Sequence, residues 1–253
     1  MTLEENKLQP KDMSLVSCDS GFLDFGDDSN DGLEDFDSSD FLVPYLSILQ
    51  KLSPEVDDTQ ERYVEGAKVR QIINKTTGKL YDGEKGIKLI VCAKHKFLDE
   101  MTDEQDSQFV ARHNFDSEAG KLARWQEKRR VLPNGNIIQE VYAYYVLILD
   151  DDGKVIDKAV ISLKSTGVKV AKKFNSVLSS YGQTLKAPIY GLVYLASTVL
   201  QTAKKNTWWQ WDFGSKPIAA LNPTSDAYPA AKEFREFAES LRVKASGDDA
   251  SPF

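Results

Sequence analysis

The stretch that most constrains this chain is Ile137–Leu149, a run dominated by β-branched and aromatic residues and bounded by turn chemistry on both sides. Such side chains fit a pleated, half-buried surface better than a helix. Pro133-Asn134-Gly135 stands just before the run. Asn-Gly is the dipeptide favoured in two-residue hairpins, because both central positions there take positive φ. The pattern predicts a strand over 128–132 that reverses into 137–149. Asp151-Asp152-Gly153 then turns the chain back into a strand over 155–163. The centre of the fold is thus expected to be an antiparallel meander.

Other elements gather around it. Residues 41–49 are apolar, but Pro44 lacks an N–H and suits an edge or an extended lead-in. Residues 68–73 alternate, Gly78 and Asp82-Gly83 supply turns, and 87–93 reads as a strand. Residues 108–112 give a weaker strand, and 116–130 suits a helix capped by Asp116 or Ser117. Over 166–180, Val168, Ala171, Phe174, Val177 and Leu178 form one helical stripe, with Gly182 as its stop. Residues 189–200 and 208–213 close the strand list. A last amphipathic helix over 228–241 uses Phe234, Phe237 and Leu241. The fold class expected is mainly β (α+β), an elaborated antiparallel barrel of seven or eight strands with two or three helices.

Charge divides the chain into three. Residues 1–40 hold twelve acids against Lys7 and Lys11, with little apolar surface to offset chain entropy, and read as a disordered acidic arm. Residues 244–253 form a short acidic tail, and 41–243 a single domain. Although the whole chain carries −7, residues 41–246 have 30 basic and 25 acidic side chains. Between Lys158 and Trp211 there is no Asp or Glu, yet eight lysines occur. A basic body with acidic appendages suits a polyanionic ligand with which the tails compete.

Catalysis finds little support. His95 and His113 are the only histidines, no glycine-rich phosphate loop joins a strand to a helix, and Asp150, Asp151 and Asp152 read as turn formers. Asp152-Gly153-Lys154 matches the acid-x-lysine element of metal-dependent nucleases only faintly. Lys94, His95 and Lys96 read as surface residues at a strand end. Cys18 and Cys92 make neither a disulfide framework nor a metal set. No enzyme activity, cofactor or metal is expected. No run of eighteen apolar residues and no secretory signal pattern is present, so a cytoplasmic protein without membrane association is expected.

Single-strand binding needs cations along a backbone path and aromatic faces on which any base can stack. The acid-free region offers Lys164, Lys169, Lys172, Lys173, Lys186, Lys204 and Lys205, interleaved with Tyr181, Tyr190, Trp208, Trp209 and Trp211. The predicted hairpin adds Arg124, Trp125, Lys128, Arg129 and Arg130. Across it Tyr142, Tyr144 and Tyr145 alternate on the strong strand, which should leave at least one facing solvent or ligand. Lysines on a helix face are ordinarily just solvated. Their coincidence with the absence of acids is what favours a nucleic acid. No helix-turn-helix, zinc-finger or basic-zipper pattern appears, which favours single strands over duplex.

The ending Asp248-Asp249-Ala250-Ser251-Pro252-Phe253 resembles the acidic, Pro-Phe-terminated tip of bacterial single-stranded DNA-binding proteins, and the Phe-terminated tail of related phage proteins. Val43-Pro44-Tyr45-Leu46, Leu49-Gln50-Lys51-Leu52-Ser53-Pro54 and Leu80-Tyr81-Asp82-Gly83-Glu84-Lys85-Gly86-Ile87 resemble phage-encoded proteins labelled as DNA-binding. The resemblance implies an OB-like barrel that binds and protects single-stranded DNA in phage replication and recombination, in the host cytoplasm. It implies that Asp248, Asp249, Pro252 and Phe253 recruit replication and recombination proteins; a homodimer is compatible with it. This chain departs from the bacterial pattern in its size, its single domain and its acidic N-terminal arm. Two other readings fit the same residues: a single-strand annealing protein, or a non-enzymatic DNA mimic or scaffold acting on a nucleic-acid enzyme.

Overall fold

The computed structural model describes residues 43–104, 107–203 and 206–244. The acidic arm, the acidic tail and the Lys204–Lys205 pair lie outside them. The strands are β1 (Tyr45–Ile48), β2 (Ile72–Asn74), β3 (Leu80–Tyr81), β4 (Ile87–Met101), β5 (Phe109–Asn114), β6 (Arg124–Gln126), β7 (Arg129–Val131), β8 (Ile137–Leu149), β9 (Val155–Lys164), β10 (Leu192–Ala203), β11 (Asn206–Asp212) and β12 (Ala219–Ala220). The helices are α1 (Glu118–Leu122), α2 (Gly167–Leu185) and α3 (Ala227–Lys244). The sheet runs β11-β10-β4-β8-β9-β1-β2-β3, with the short strands attached at its margins.

The strong strand is the axis of this sheet. β8 pairs antiparallel with β4 along its whole length and with β9 from Val141 to Leu149. Both expected hairpins form: Gly135 (φ 90°) turns β7 into β8, and Gly153 (φ 84°) turns β8 into β9. One pair departs from the antiparallel expectation. β1 runs parallel to β9, with Tyr45 beside Val160 and Leu46 beside Ile161. Pro44 leads into it, and its carbonyl accepts the Val160 N–H at 2.7 Å. Turn signals specify only partners adjacent in sequence, whereas a parallel pair needs a long crossover that leaves no local mark. The sheet is therefore mixed.

A helix covers each face. Ala171, Phe174 and Leu178 of α2 pack on Tyr142, Tyr144 and Val146, while Phe174 stacks on Phe213 at 4.2 Å. On the opposite face Ala227, Ala231, Phe234 and Ala238 of α3 meet Val141, Ala143, Tyr145 and Leu147. The alanines let the helix backbone come close. Burial on both faces explains why β8 reads as a nearly continuous apolar run. It also overturns the expectation of a solvent-facing tyrosine, since Tyr142, Tyr144 and Tyr145 are all buried.

Three local expectations are corrected. Only Glu118–Leu122 of the 116–130 stretch is helical, with Ser117 Oγ accepting the Gly120 N–H at 3.4 Å. The rest folds as the β6–β7 hairpin, whose turn puts Glu127 at φ 53°. α2 continues through Gly182, since one mid-helix glycine costs only about 1 kcal/mol against alanine. It ends at Lys186, left-handed at φ 49°, shortly before Pro188. Finally, β4 runs past Lys94, His95 and Lys96 to Met101, so His95 is a buried mid-strand residue beneath α3.

The sheet curls until its ends meet, giving a half-barrel. Thr198 of β10 donates its N–H to Gly83 O at 2.8 Å, and its hydroxyl bonds the same oxygen at 2.9 Å. Gly83 permits that approach, because a Cβ there would lie 2.0 Å from Arg70 O and 2.6 Å from Thr198 Oγ1. Close by, Gln50 stands where a partner strand would. Its amide donates to Trp209 O at 2.8 Å and accepts the Trp209 N–H at 2.9 Å.

Candidate nucleic-acid interface

The β6–β7 hairpin is a two-stranded ribbon carrying Arg124, Trp125, Lys128, Arg129 and Arg130. Trp125 is 71% exposed and sits directly across from Arg130. Arg124 and Arg130 donate to the carbonyls of Lys121 and Gly120 at 2.7 and 2.6 Å, which fixes the ribbon against α1. Arg129 reaches Asp103 at 2.6 Å, a solvated pair that leaves its charge only loosely engaged. β7 adds to β8 on the edge that β9 leaves, with Arg130 opposite Ile138 and Lys164 opposite Val141. At about 3.4 Å per residue, Arg130 and Lys164 stand on one edge roughly 10 Å apart.

Past Lys164 the chain enters α2, and here β9, β1 and β11 enclose an open cavity of about 430 Å³. Gln50, Ser162, Lys164, Thr166, Trp208, Trp209 and Trp211 contribute to its lining. Trp211 is buried and stacks on Phe213 at 5.9 Å, so it belongs to the core behind the cavity. Trp209 is half-buried, with the Arg70 guanidinium 4.9 Å above its ring. Trp208 is half-buried too. Its Nε1–H and the Ser162 hydroxyl are shielded from solvent and have no hydrogen-bond partner among the described residues. The first turn of α2 contains no acid and no side-chain cap, so the positive end of its dipole borders the cavity uncompensated.

The outer face of α2 carries the third group. Lys169, Lys172 and Lys173 are exposed. Lys172 lies 3.9 Å from Glu140, whose carboxylate is also bonded by Lys96. Lys186 is exposed at the far end of the helix.

Besides Trp211, four tyrosines expected to contact ligand pack against other parts of the fold. Tyr144 is fully buried, its hydroxyl bonded to Asn175 at 2.9 Å, and burial holds its phenol well above the usual range. Tyr142 packs in the same core and Tyr181 against it. Tyr190 lies against α3, 5.6 Å from Tyr228, with Arg235 over its ring. Lys204, Lys205, Asp248, Asp249, Pro252 and Phe253 lie outside the described residues. The fold thus brings Lys164, Trp208 and Trp209 together, sets the Trp125 ribbon on the same strand edge, and removes the tyrosines. Gln50, Ser162 and Arg70 are additions. They are lone polar residues without a motif, and only the curl of the sheet gathers them.

Over the described residues this is a mainly β protein with three α-helices, built on a curled mixed sheet whose cationic and indole groups lie at its margins. The family model described as "Pam3 phage gp34-like protein" matches residues 11–244, and the chain belongs to this phage protein family. No curated protein and no solved structure matches it significantly. Among the described residues no helix is long and apolar enough to cross a membrane.

Proposed function

We propose that this phage protein binds single-stranded DNA without reading its sequence and performs no chemistry on it. The observation that carries this reading is the Trp125 ribbon, an exposed indole among four cations. Phosphates would be neutralised by Arg124, Lys128, Arg129 and Arg130, then by Lys164 and the lysines of α2. Bases would stack on Trp125 and on the indoles of β11. Stacking tolerates any base, because every base presents a π face. We read the curled sheet as an elaborated OB-like barrel, a reading supported by the closure at Gly83 and Gln50. The acidic tail would recruit replication and recombination proteins, as its resemblance implies.

Titration with fluorescently labelled oligo-dT at low salt tests this. Binding should be saturable and should quench the protein's tryptophans. Trp125→Ala should weaken it by 1–3 kcal/mol, about 5- to 150-fold, without lowering the melting temperature. Absence of binding by the unmodified protein at low salt would refute the proposal. An unchanged affinity in Trp125→Ala would remove the ribbon from it.

A further inference from the structure

We infer that the open groove between β1, β9 and β11 receives the chain's own acidic arm, with Phe and Leu side chains of residues 22–36 seated against Ile48, Trp208 and Trp209. The inference goes beyond the single-strand reading and does not depend on it. Those three side chains line the groove and are only half-buried, and its volume of about 430 Å³ has room for a phenylalanine ring. Apolar surface continues past the groove on both sides. Leu200 stands directly across the β10–β11 ladder from Trp209 and is half exposed. Leu52 is 96% exposed on the turn that Gln50 opens, where Ser53 donates its N–H to Gln50 O at 3.1 Å. Exposed apolar surface gathered at one place and rimmed by polar groups marks a docking surface.

Charge and tether name the occupant. None of the residues lining the groove is acidic, and Arg70 holds its guanidinium 4.9 Å above the Trp209 ring. Arg70 takes φ 85°, a strained backbone for a residue with a side chain, and such strain gathers at ligand clamps. Its partner Glu84, at 2.5 Å, is largely solvated, so another carboxylate can displace it. Residues 22–36 are the complement: Phe22, Leu23, Phe25, Leu33 and Phe36 stand among six acids, with no Lys or Arg. The arm leads directly into β1, which forms one wall of the groove. Seven residues separate Phe36 from Val43, and seven separate Val43 from Gln50. At about 3.3 Å per residue each span reaches roughly 23 Å, so the arm can turn back beside β1 and set Phe36 at the groove. A segment tethered this closely has an effective concentration on the order of millimolar, which lets a modest contact form within one molecule.

The test uses the full chain. Cys92 is buried, so a nitroxide maleimide is directed to Cys18, four residues before Phe22. In the ¹⁵N-labelled protein the indole N–H resonances of Trp208 and Trp209, assigned through Trp208→Phe and Trp209→Phe, should lose intensity to the nitroxide. Trp125 should lose less, although its ring is the most exposed of the four. A nitroxide-bearing copy without ¹⁵N, mixed with ¹⁵N-labelled Cys18→Ser protein, should leave all four resonances intact. Replacing Phe22, Phe25, Leu33 and Phe36 together by Ser, outside the described residues, should erase the difference between Trp209 and Trp125. The proposal is overturned if Trp125 loses as much intensity as Trp209, or if neither loses any. It is equally overturned if the fourfold replacement leaves the pattern intact, or if the loss arises in the mixed sample. Titration with oligo-dT decides the single-strand reading separately.

Discussion

Glu100 shows how one carboxylate fixes the β4 end that borders the cationic ribbon. It accepts from Asn136 at 2.5 Å and Asn134 at 3.1 Å, and meets the His113 ring at 2.7 Å. The β7–β8 turn is thereby tied to β5. Burial raises the pKa of this carboxyl, but bonds from Asn136, Asn134 and His113 outweigh it and leave the net value lowered. A carboxyl depressed in the folded state stabilises above its unfolded pKa of about 4.3, and the effect fades as pH falls through the folded value. Glu100→Gln should therefore cost about 1–3 kcal/mol at pH 7, with a smaller difference from the parent below pH 4. Denaturant unfolding at the two pH values checks the sign. At this scale the sequence was only partly readable. Trp125 stands out beside Arg124 and is exposed. Tyr142, Tyr144 and Tyr145 misled, because periodicity places residues on two faces of a strand but does not say that a helix covers each.

Among the elements, locality decided what was legible. Asn134-Gly135, Asp151-Asp152-Gly153 and the α2 stripe act within a few residues, and the structure places turns and helix there. The β6 half of the ribbon was hidden because Arg124-Trp125-Gln126 is short and the Glu127-Lys128 turn lacks glycine, whereas β7 falls within the strand expected over 128–132. The parallel β1–β9 pair and the contact across Gly83 join distant segments, and no spacing announces them. That contact gives a sharp prediction. Gly83→Ala would place a methyl 2.0 Å from Arg70 O, a backbone atom that cannot swing aside. It should cost about 3 kcal/mol or more, lowering the melting temperature by roughly 6–12 °C. Gln50→Ala removes two hydrogen bonds to Trp209 and should cost about 1–3 kcal/mol. Faster amide exchange at Trp209 in Gln50→Ala would localise the effect to the junction.

Across the whole molecule, charge placement was the most readable property, since counting acids needs no fold. What counting could not show is that the cations divide among a ribbon, a cavity rim and a helix face, with several of the interleaved aromatics inside the core. The division makes the contribution of α2 separable. For single strands the logarithm of affinity falls with that of salt by about 0.7 per phosphate contacted. Replacing Lys169, Lys172 and Lys173 together by Gln should flatten that slope by roughly 2 while preserving the fold. An unchanged slope would take the helix face off the phosphate path.

The junction of Gln50 with Trp209 also sets an order of events in the making of the protein. Contacts between remote segments are slow, because the intervening loop must be closed before they form. While the chain emerges from a ribosome, the β7–β8 and β8–β9 hairpins can assemble early, since they are local. The site that gathers Ser162, Lys164 and Trp208 cannot exist until residue 209 has been translated. The cavity is therefore among the last features of the fold to form, since β11 must reach Gln50 before its wall is complete.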